Sequence, residues 1–279
     1  MNKFEITREV FEKHCYSATH CSNDVFEAVL PQIEIVQESF FKEFGLYVVE
    51  NTTSREETLI VGAVCCKAYA DTIPHLDLIL TDSGFGVVST DNITPASADR
   101  VNRLRTRLLD VYDDAVDNLI GSLRAHTEWR DTDIAKEIFS TFFWSGEYFR
   151  KTAFPEIYRR DCAKYRPLVS IAEAKLRGIV GDELIDELLA GIRNNEISSL
   201  QTQLLTLIHG VISAEITEAH TADALLLVQT MLRFLDTHID SFQTYKASSA
   251  YAARTGAKFE NKKENSAYFF LLWQNINKR

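Results

Sequence analysis

Between residues 98 and 125 the apolar side chains Val101, Leu104, Leu108, Val111, Ala115, Leu119 and Leu123 recur at intervals of three and four. An α-helix returns side chains to one face at that interval, so the run commits about six turns of chain to one amphipathic rod. Thr94 followed by Pro95 is the start expected for it, a capping hydroxyl with proline at the first helical position. The same texture recurs along the chain. Asp24 and Glu27 have the spacing of a capping box. Ile33, Val36, Phe40 and Phe44 then step along one face toward Gly45, a C-cap, and Pro31 is expected to kink this helix or restart it. Residues 55–72 read as a buried helix ending before Pro74, with Cys65 and Cys66 packed in the core as small hydrophobes. Further helices are expected over 199–219 and from Thr221 to Tyr245, where Leu225, Val228, Leu232, Leu235, Ile239 and Phe242 alternate like a coiled-coil seam.

One stretch breaks the pattern. LDLILTDSGFGVVST places two β-prone runs around Asp82-Ser83-Gly84, which predicts a small hairpin at about 76–90. Gly84-x-Gly86 has Ser89 where a dinucleotide fingerprint needs its third glycine, so a projecting hairpin with Phe85 near its tip is preferred to a cofactor loop. The fold class is therefore mainly α, a helical bundle with one small β-hairpin.

From Pro167 the apolar order repeats. Val169, Ile171, Ala172, Leu176, Val180 and Gly181 follow Ile33, Ile35, Val36, Phe40, Phe44 and Gly45 at a constant offset of 136 residues. This predicts an internal duplication of a helical unit. The organisation expected is an N-terminal arm over 1–23, a first helical unit over 24–125, an aromatic-rich connector over 126–166, a second unit over 167–245, and a linker with an apolar tail over 246–279. The aromatic connector reads first as core and second as an assembly surface. The tail ends in Tyr268-Phe269-Phe270-Leu271-Leu272-Trp273, which has to dock on its own domain or on a neighbouring chain.

Composition narrows function. With 30 Lys plus Arg against 40 Asp plus Glu, the net charge is -10, which repels a polyphosphate unless positive charge is segregated. No specific nucleic-acid binding is expected. The N-terminus lacks an apolar leader core, and no apolar run approaches the roughly 18 residues that cross a bilayer. Five cysteines, with two adjacent, do not make a disulfide framework and are expected to stay reduced.

Charge is segregated on the 98–125 helix. Arg100, Arg103, Arg105 and Arg107 come first, then Asp110, Asp113, Asp114 and Asp117. One reading is a solvated face with local pairs such as Asp99 with Arg103, each worth a few tenths of a kcal/mol, roughly. The other is a partner contact, in which the positive end of one subunit's helix meets the negative end of its neighbour's. The candidate contact residues are Arg100, Arg103, Arg107, Asp110, Asp113, Asp114, Phe85, Phe269, Phe270 and Trp273.

Catalytic signatures are missing. There is no G-x-S-x-G, Walker A, H-E-x-x-H or C-x-x-C, and none of the seven histidines follows a glutamate at three residues. His209 sits on an apolar helix and reads as a hydrogen-bonded core histidine, and His238 as part of a polar face. HCYSATHC, residues 14–21, is the one metal candidate, through His14, Cys15, His20 and Cys21. Its like pairs are six residues apart, beyond the two-to-four-residue gap of common zinc modules, so it reads better as a polar entry into the first helix. No catalytic residue and no cofactor is assigned.

Several stretches carry a resemblance: Tyr16-Ser17-Ala18-Thr19, LPQIEIVQESFFKEFG, GFGVVST, PASADRVNRL and ENKKENSAYFF. Through them the chain resembles a family of Bacteroidetes phage and prophage proteins, uncharacterised virion-associated or neck proteins. The resemblance implies a mostly helical, non-enzymatic structural protein, similar in role to the head-to-tail connectors that ring the portal vertex. It implies self-association, contact with the portal protein and other neck or tail proteins, passive contact with DNA in a channel, and residence in the virion neck after assembly in the host cytoplasm. A host-side helical interaction module, and a metal- or thiol-dependent enzyme using His14–Cys21, are the alternatives.

Overall fold

The small-apolar run expected over 55–72 becomes a helix enclosed by its neighbours. A computed structural model describes residues 4–16, 23–49, 51–76, 78–81, 84–87, 97–152, 154–217 and 221–256. Helix α1 spans Arg8–His14, α2 Asn23–Phe44, α3 Ser54–Leu76 and α4 Ala98–Leu123. Ile60, Ala63, Val64, Cys65, Cys66, Ala68, Tyr69, Ala70 and Ile73 of α3 are all buried. A helix apolar on most of its surface needs neighbours on several sides, and α1, α2 and α4 supply them. The small residues of α3 let those neighbours come close.

The elements differ from expectation in instructive ways. Thr94 and Pro95 lie outside the described residues, and the N-cap of α4 is Ser97, a turn later than expected. Val111 is 37% exposed; Tyr112 takes its place inward, with its ring 6.3 Å from that of Phe40. α2 is already helical at Asn23, so Asp24 lies inside its first turn, and α2 and α3 run on through Pro31 and Pro74. The N-terminal segment is docked: Ile6, Phe11 and Cys15 are buried, and Gln37 Nε2 donates to the Phe4 carbonyl at 3.1 Å. A fully buried Phe or Ile is worth about 1.5–3 kcal/mol, enough to hold so short a helix in place. Strands β1 (Leu78–Thr81) and β2 (Gly84–Val87) pair antiparallel, Leu78 opposite Val87 and Thr81 opposite Gly84.

Residues 126–166 fold as core. They form α5 (Thr127–Arg130), α6 (Asp133–Ile138) and α7 (Gly146–Arg150), with Trp129, Phe139, Phe142, Phe143 and Phe149 buried. Trp129 Nε1 donates to the Phe44 carbonyl at 2.6 Å, tying this segment to the end of α2. The second unit holds α8 (Arg159–Val180), α9 (Asp182–Asn194), α10 (Ser199–Ile216) and α11 (Thr221–Thr237). Its first helix begins at Arg159, so Pro167 lies within α8 rather than opening it. The seam expected to Tyr245 breaks after Thr237 into a 3-10 turn, Ile239–Ser241, and α12 (Gln243–Ala247). Met231, Leu235 and Phe242 face the core while Leu225 is 42% exposed. The expected linker starts too early: Ser249–Gly256 is helical as α13, Tyr251 packs on Tyr245, and Arg254 pairs with Asp236. The apolar tail lies outside the described residues. One continuous apolar cluster runs from Ile6 to Tyr245, so both units share a core.

α2 and α8 match closely. Each has 22 residues, offset by 136, with Pro31 and Pro167 at the same position. Ile33, Val36, Phe40 and Phe44 are buried, as are Val169, Ala172, Leu176 and Val180, while Ile35 and Ile171 are 58% and 55% exposed. Each helix is followed by a glycine with positive φ, Gly45 at 62° and Gly181 at 92°.

Candidate functional site

The acidic half of α4 turns inward. Asp110, Asp113, Asp114 and Asp117 fall at helical intervals of three, one and three, so all four lie along one side of the rod. That side meets α7 and the start of α8. Arg160 reaches Asp110 Oδ1 at 2.5 Å through Nη2, and Asp113 through Nη1. Arg150 Nη2 donates to Asp114 Oδ1 at 2.8 Å. Arg159 Nη1 donates to Asp117 Oδ1 at 3.0 Å and to the Trp144 carbonyl at 3.1 Å. The Tyr158 ring lies between two of these cations, 4.8 Å from the Arg150 guanidinium and 4.9 Å from that of Arg160.

Asp117 joins three elements, α4, α7 and α8. Its Oδ2 accepts from Ser145 Oγ at 2.7 Å and from the Gly146 amide at 2.9 Å, while Ser145 caps α7. Gly146 is required by closeness: a Cβ there would stand 2.9 Å from the Arg159 amide nitrogen and from the Tyr158 carbonyl carbon. Burial raises the Asp117 pKa, against the lowering effect of Arg159 and the Ser145 and Gly146 hydrogen bonds. Burial likewise pushes Asp113 up to about 6, opposed by Arg160. With every acid matched by an arginine of the same subunit, the block works as an internal clamp.

The basic half of the rod differs. Arg100, Arg103 and Arg107 are exposed, and Arg103 pairs with Asp99 at 2.6 Å as the local spacing predicts. Arg105 donates Nε to the Ala70 carbonyl at 3.2 Å. The rod-to-rod contact between copies expected from the two blocks therefore loses its acidic partner, because Asp110, Asp113 and Asp114 are engaged within the chain. The side chains of Phe85, Phe269, Phe270 and Trp273 lie outside the described residues.

A second polar cluster escaped the sequence reading. Glu56, 1% exposed, accepts from the Thr53 amide at 2.8 Å, from Thr53 Oγ1 at 3.0 Å and from Ser122 Oγ at 2.6 Å. His126 Nε2 lies 3.1 Å from both of its oxygens. Thr53-x-x-Glu56 is a capping box, and that spacing was the signal available. Burial would raise the Glu56 pKa, but the hydrogen bonds from Ser122, Thr53 and His126 hold it below the usual carboxylate value. Serine and histidine here address the same carboxylate instead of each other, so the histidine is not placed to take the serine proton. The cluster joins α3 to the end of α4.

The opening stretch is divided by the fold. His14 is half-buried, with Nδ1 3.0 Å from where a Cβ of Gly62 would lie. Cys15 is buried beside Cys66, whose Sγ is 4.0 Å from the His14 carbonyl. A hydrogen bond to Cys66, together with burial, raises the Cys15 pKa, and burial pushes Cys65 up to about 12. Such thiols are poor nucleophiles. His20 and Cys21 lie outside the described residues. Among the described residues no group of three or more His, Cys, Asp or Glu could hold a metal, and no helix is long and apolar enough to cross a membrane. His209 is a core histidine as expected, its Nε2 3.1 Å from the Phe142 carbonyl and its ring stacked on Tyr148 at 4.4 Å.

Residues 31–137 match the model of a family of unknown function (DUF6712). The match runs from Pro31 in α2 nearly to the end of α6, taking in the aspartates of the clamp but not Arg150, Arg159 or Arg160. No curated protein and no solved structure matches the chain.

Proposed function

We propose that the chain is a structural subunit of a phage virion, a head-to-tail connector that assembles as a ring at the portal vertex. Its partners are further copies of itself, the portal protein and other neck or tail proteins, and DNA passes its channel without sequence-specific contact. It is made in the host cytoplasm and ends in the virion neck. It is not an enzyme.

The observation that carries this reading is how the charged groups are used. Asp113 and Asp117 are paired with arginines of the same subunit, Glu173 is held by Thr141 and the Phe142 amide, Glu56 is spent on capping and bracing, and Cys15, Cys65 and Cys66 are buried. Among the outward surfaces are the arginine end of α4 and a stripe of α2 that mixes glutamates with Leu30 and Ile35. A ring needs each subunit to present two different patches. The phage-like stretches LPQIEIVQESFFKEFG and PASADRVNRL contribute residues 30–44 to α2 and 98–104 to α4. We read α2 with α8 and α3 with α10 as parts of two copies of a duplicated helical unit, because the burial pattern of α2 and α8 repeats position by position.

The test is co-purification with a portal ring from the same genome, followed by particle imaging. A layer of this chain on the portal face is expected. A portal ring that stays bare beside a monomeric chain refutes the reading.

A further inference from the structure

The compensated aspartates leave a specific question: what meets the arginines of α4. Arg100, Arg103 and Arg107 recur at three and four residues, so they and Val111 form one outward stripe, and Val111 is 37% exposed. Among the described residues, Arg103 pairs with Asp99 of the same helix. On α2, the outward residues Glu27, Leu30, Pro31, Glu34, Ile35 and Glu38 also recur at helical intervals, with Leu30 39% and Ile35 58% exposed. Each stripe spans eleven residue steps, about 16 Å of helix at about 1.5 Å per residue. One is cationic with an aliphatic end, the other anionic with aliphatic residues between its charges.

We propose that the arginine stripe of α4 in one copy seats against the glutamate stripe of α2 in the next. This inference rests on the ring reading and assigns its interface. Two copies of a chain with net charge -10 repel as wholes, so contact needs a local reversal of sign, and the α4 stripe provides it. The patches lie on different helices flanking α3, which makes the contact head-to-tail and able to close a ring. The equal lengths and the aliphatic residues favour a second copy over a nucleic-acid backbone, which offers charge without apolar surface. Leu30, Ile35 and Val111 supply apolar contact, while the charges set register and approach.

The experiment is sedimentation velocity on the full chain at low and high salt. It compares the wild type, R103E/R107E, E27R/E34R and an equimolar mixture of the two variants. All substitutions are at exposed positions, and circular dichroism melts confirm that each variant folds. The wild type is expected to self-associate, more weakly at high salt. Each variant alone is expected to associate about tenfold or more weakly, since opposed like charges cost more than 1.4 kcal/mol. The mixture is expected to recover to near the wild-type level, because each variant then carries the sign its neighbour needs. Self-association indifferent to salt and to both reversals overturns this interface and leaves the ring reading standing. A wild type that stays monomeric alone and on its portal overturns both. Duplex DNA binding lost in R103E/R107E, with self-association unchanged, assigns the stripe to nucleic acid and overturns the proposal.

Discussion

Replacing Asp117 by alanine removes the carboxylate that fastens α4 to α7 and α8. Three donors lose their acceptor at once: Arg159 Nη1, Ser145 Oγ and the Gly146 amide. The Asp117 side chain is 8% exposed and that of Arg159 20%, so water reaches the site poorly. Breaking a buried ion pair by removing one partner costs about 3–5 kcal/mol. The orphaned amide and hydroxyl each carry a desolvation penalty of about 1–3 kcal/mol, but one network is not the sum of its parts, and the Arg159 bond to the Trp144 carbonyl survives. The expected loss is therefore about 4 kcal/mol. For 279 residues the unfolding entropy near the midpoint is about 0.6 kcal/mol/K, so the thermal midpoint should fall by about 5–9 °C. Asp110→Ala is the control. It removes one of two carboxylates on Arg160 at a more open position, and about 0–1 kcal/mol is expected. Differential scanning calorimetry on both variants measures the contrast. A midpoint for Asp117→Ala within about 1 °C of wild type would refute the view that the aspartate block is an internal clamp.

Three further outcomes follow from the same geometry. Asp113, held up near 6 by burial, keeps its proton in the fold at a pH where the unfolded chain has lost it. Its contribution is full below about 4 and lost as pH rises through 6, so Asp113→Asn should flatten a decline of roughly 2–3 kcal/mol in urea-derived stability over that window. His209 has the opposite sign: burial lowers it to about 4, so the neutral ring supports the fold above about 6.5 and that support is lost as pH falls toward 4. His209→Gln should remove up to about 3 kcal/mol of acid sensitivity, read as a shallower midpoint-against-pH curve; an unchanged curve means the ring does not resist protonation. Gly45→Ala places a Cβ at φ 62°, with Ile134 Cδ1 3.1 Å away, and should destabilise by about 1–2 kcal/mol in thermal melts, whereas no loss would mean the helix end relaxes freely.

Local signals were readable wherever chemistry acts between near neighbours. The three-and-four spacing located α2 and α4, the small and aliphatic runs located α3 and α10 and announced the burial of α3, and Asp99 and Arg103 pair at their helical interval. The 136-residue offset picked out two helices whose exposed and buried positions coincide, down to the outward Ile35 and Ile171. Boundaries were less legible. Pro31 reads as a kink or restart, Pro74 as a stop and Pro167 as a restart, yet each lies inside a helix. Thr237 looks like the middle of a long helix, but the chain turns there so that Phe242 and Tyr245 can enter the core. The site was least legible. Arg150, Arg159 and Arg160 lie about 40 residues beyond the aspartates they serve, and nothing in either segment names the other. Read alone, the aspartates looked available to a neighbour, and their burial is a tertiary fact. The Glu56 cluster shows the intermediate case: its capping box is local, but Ser122 and His126 arrive from the far end of α4.

The proposed role requires a ring-forming subunit that assembles on a portal. Mass measurement on single particles, with portal rings mixed with a molar excess of the full chain, tests it most directly. A second species is expected, heavier than the portal by a whole-number multiple of the 31.7 kDa subunit and without lower partial occupancies at saturation. A portal mass unchanged by the chain, with the chain itself remaining at 31.7 kDa, would contradict it.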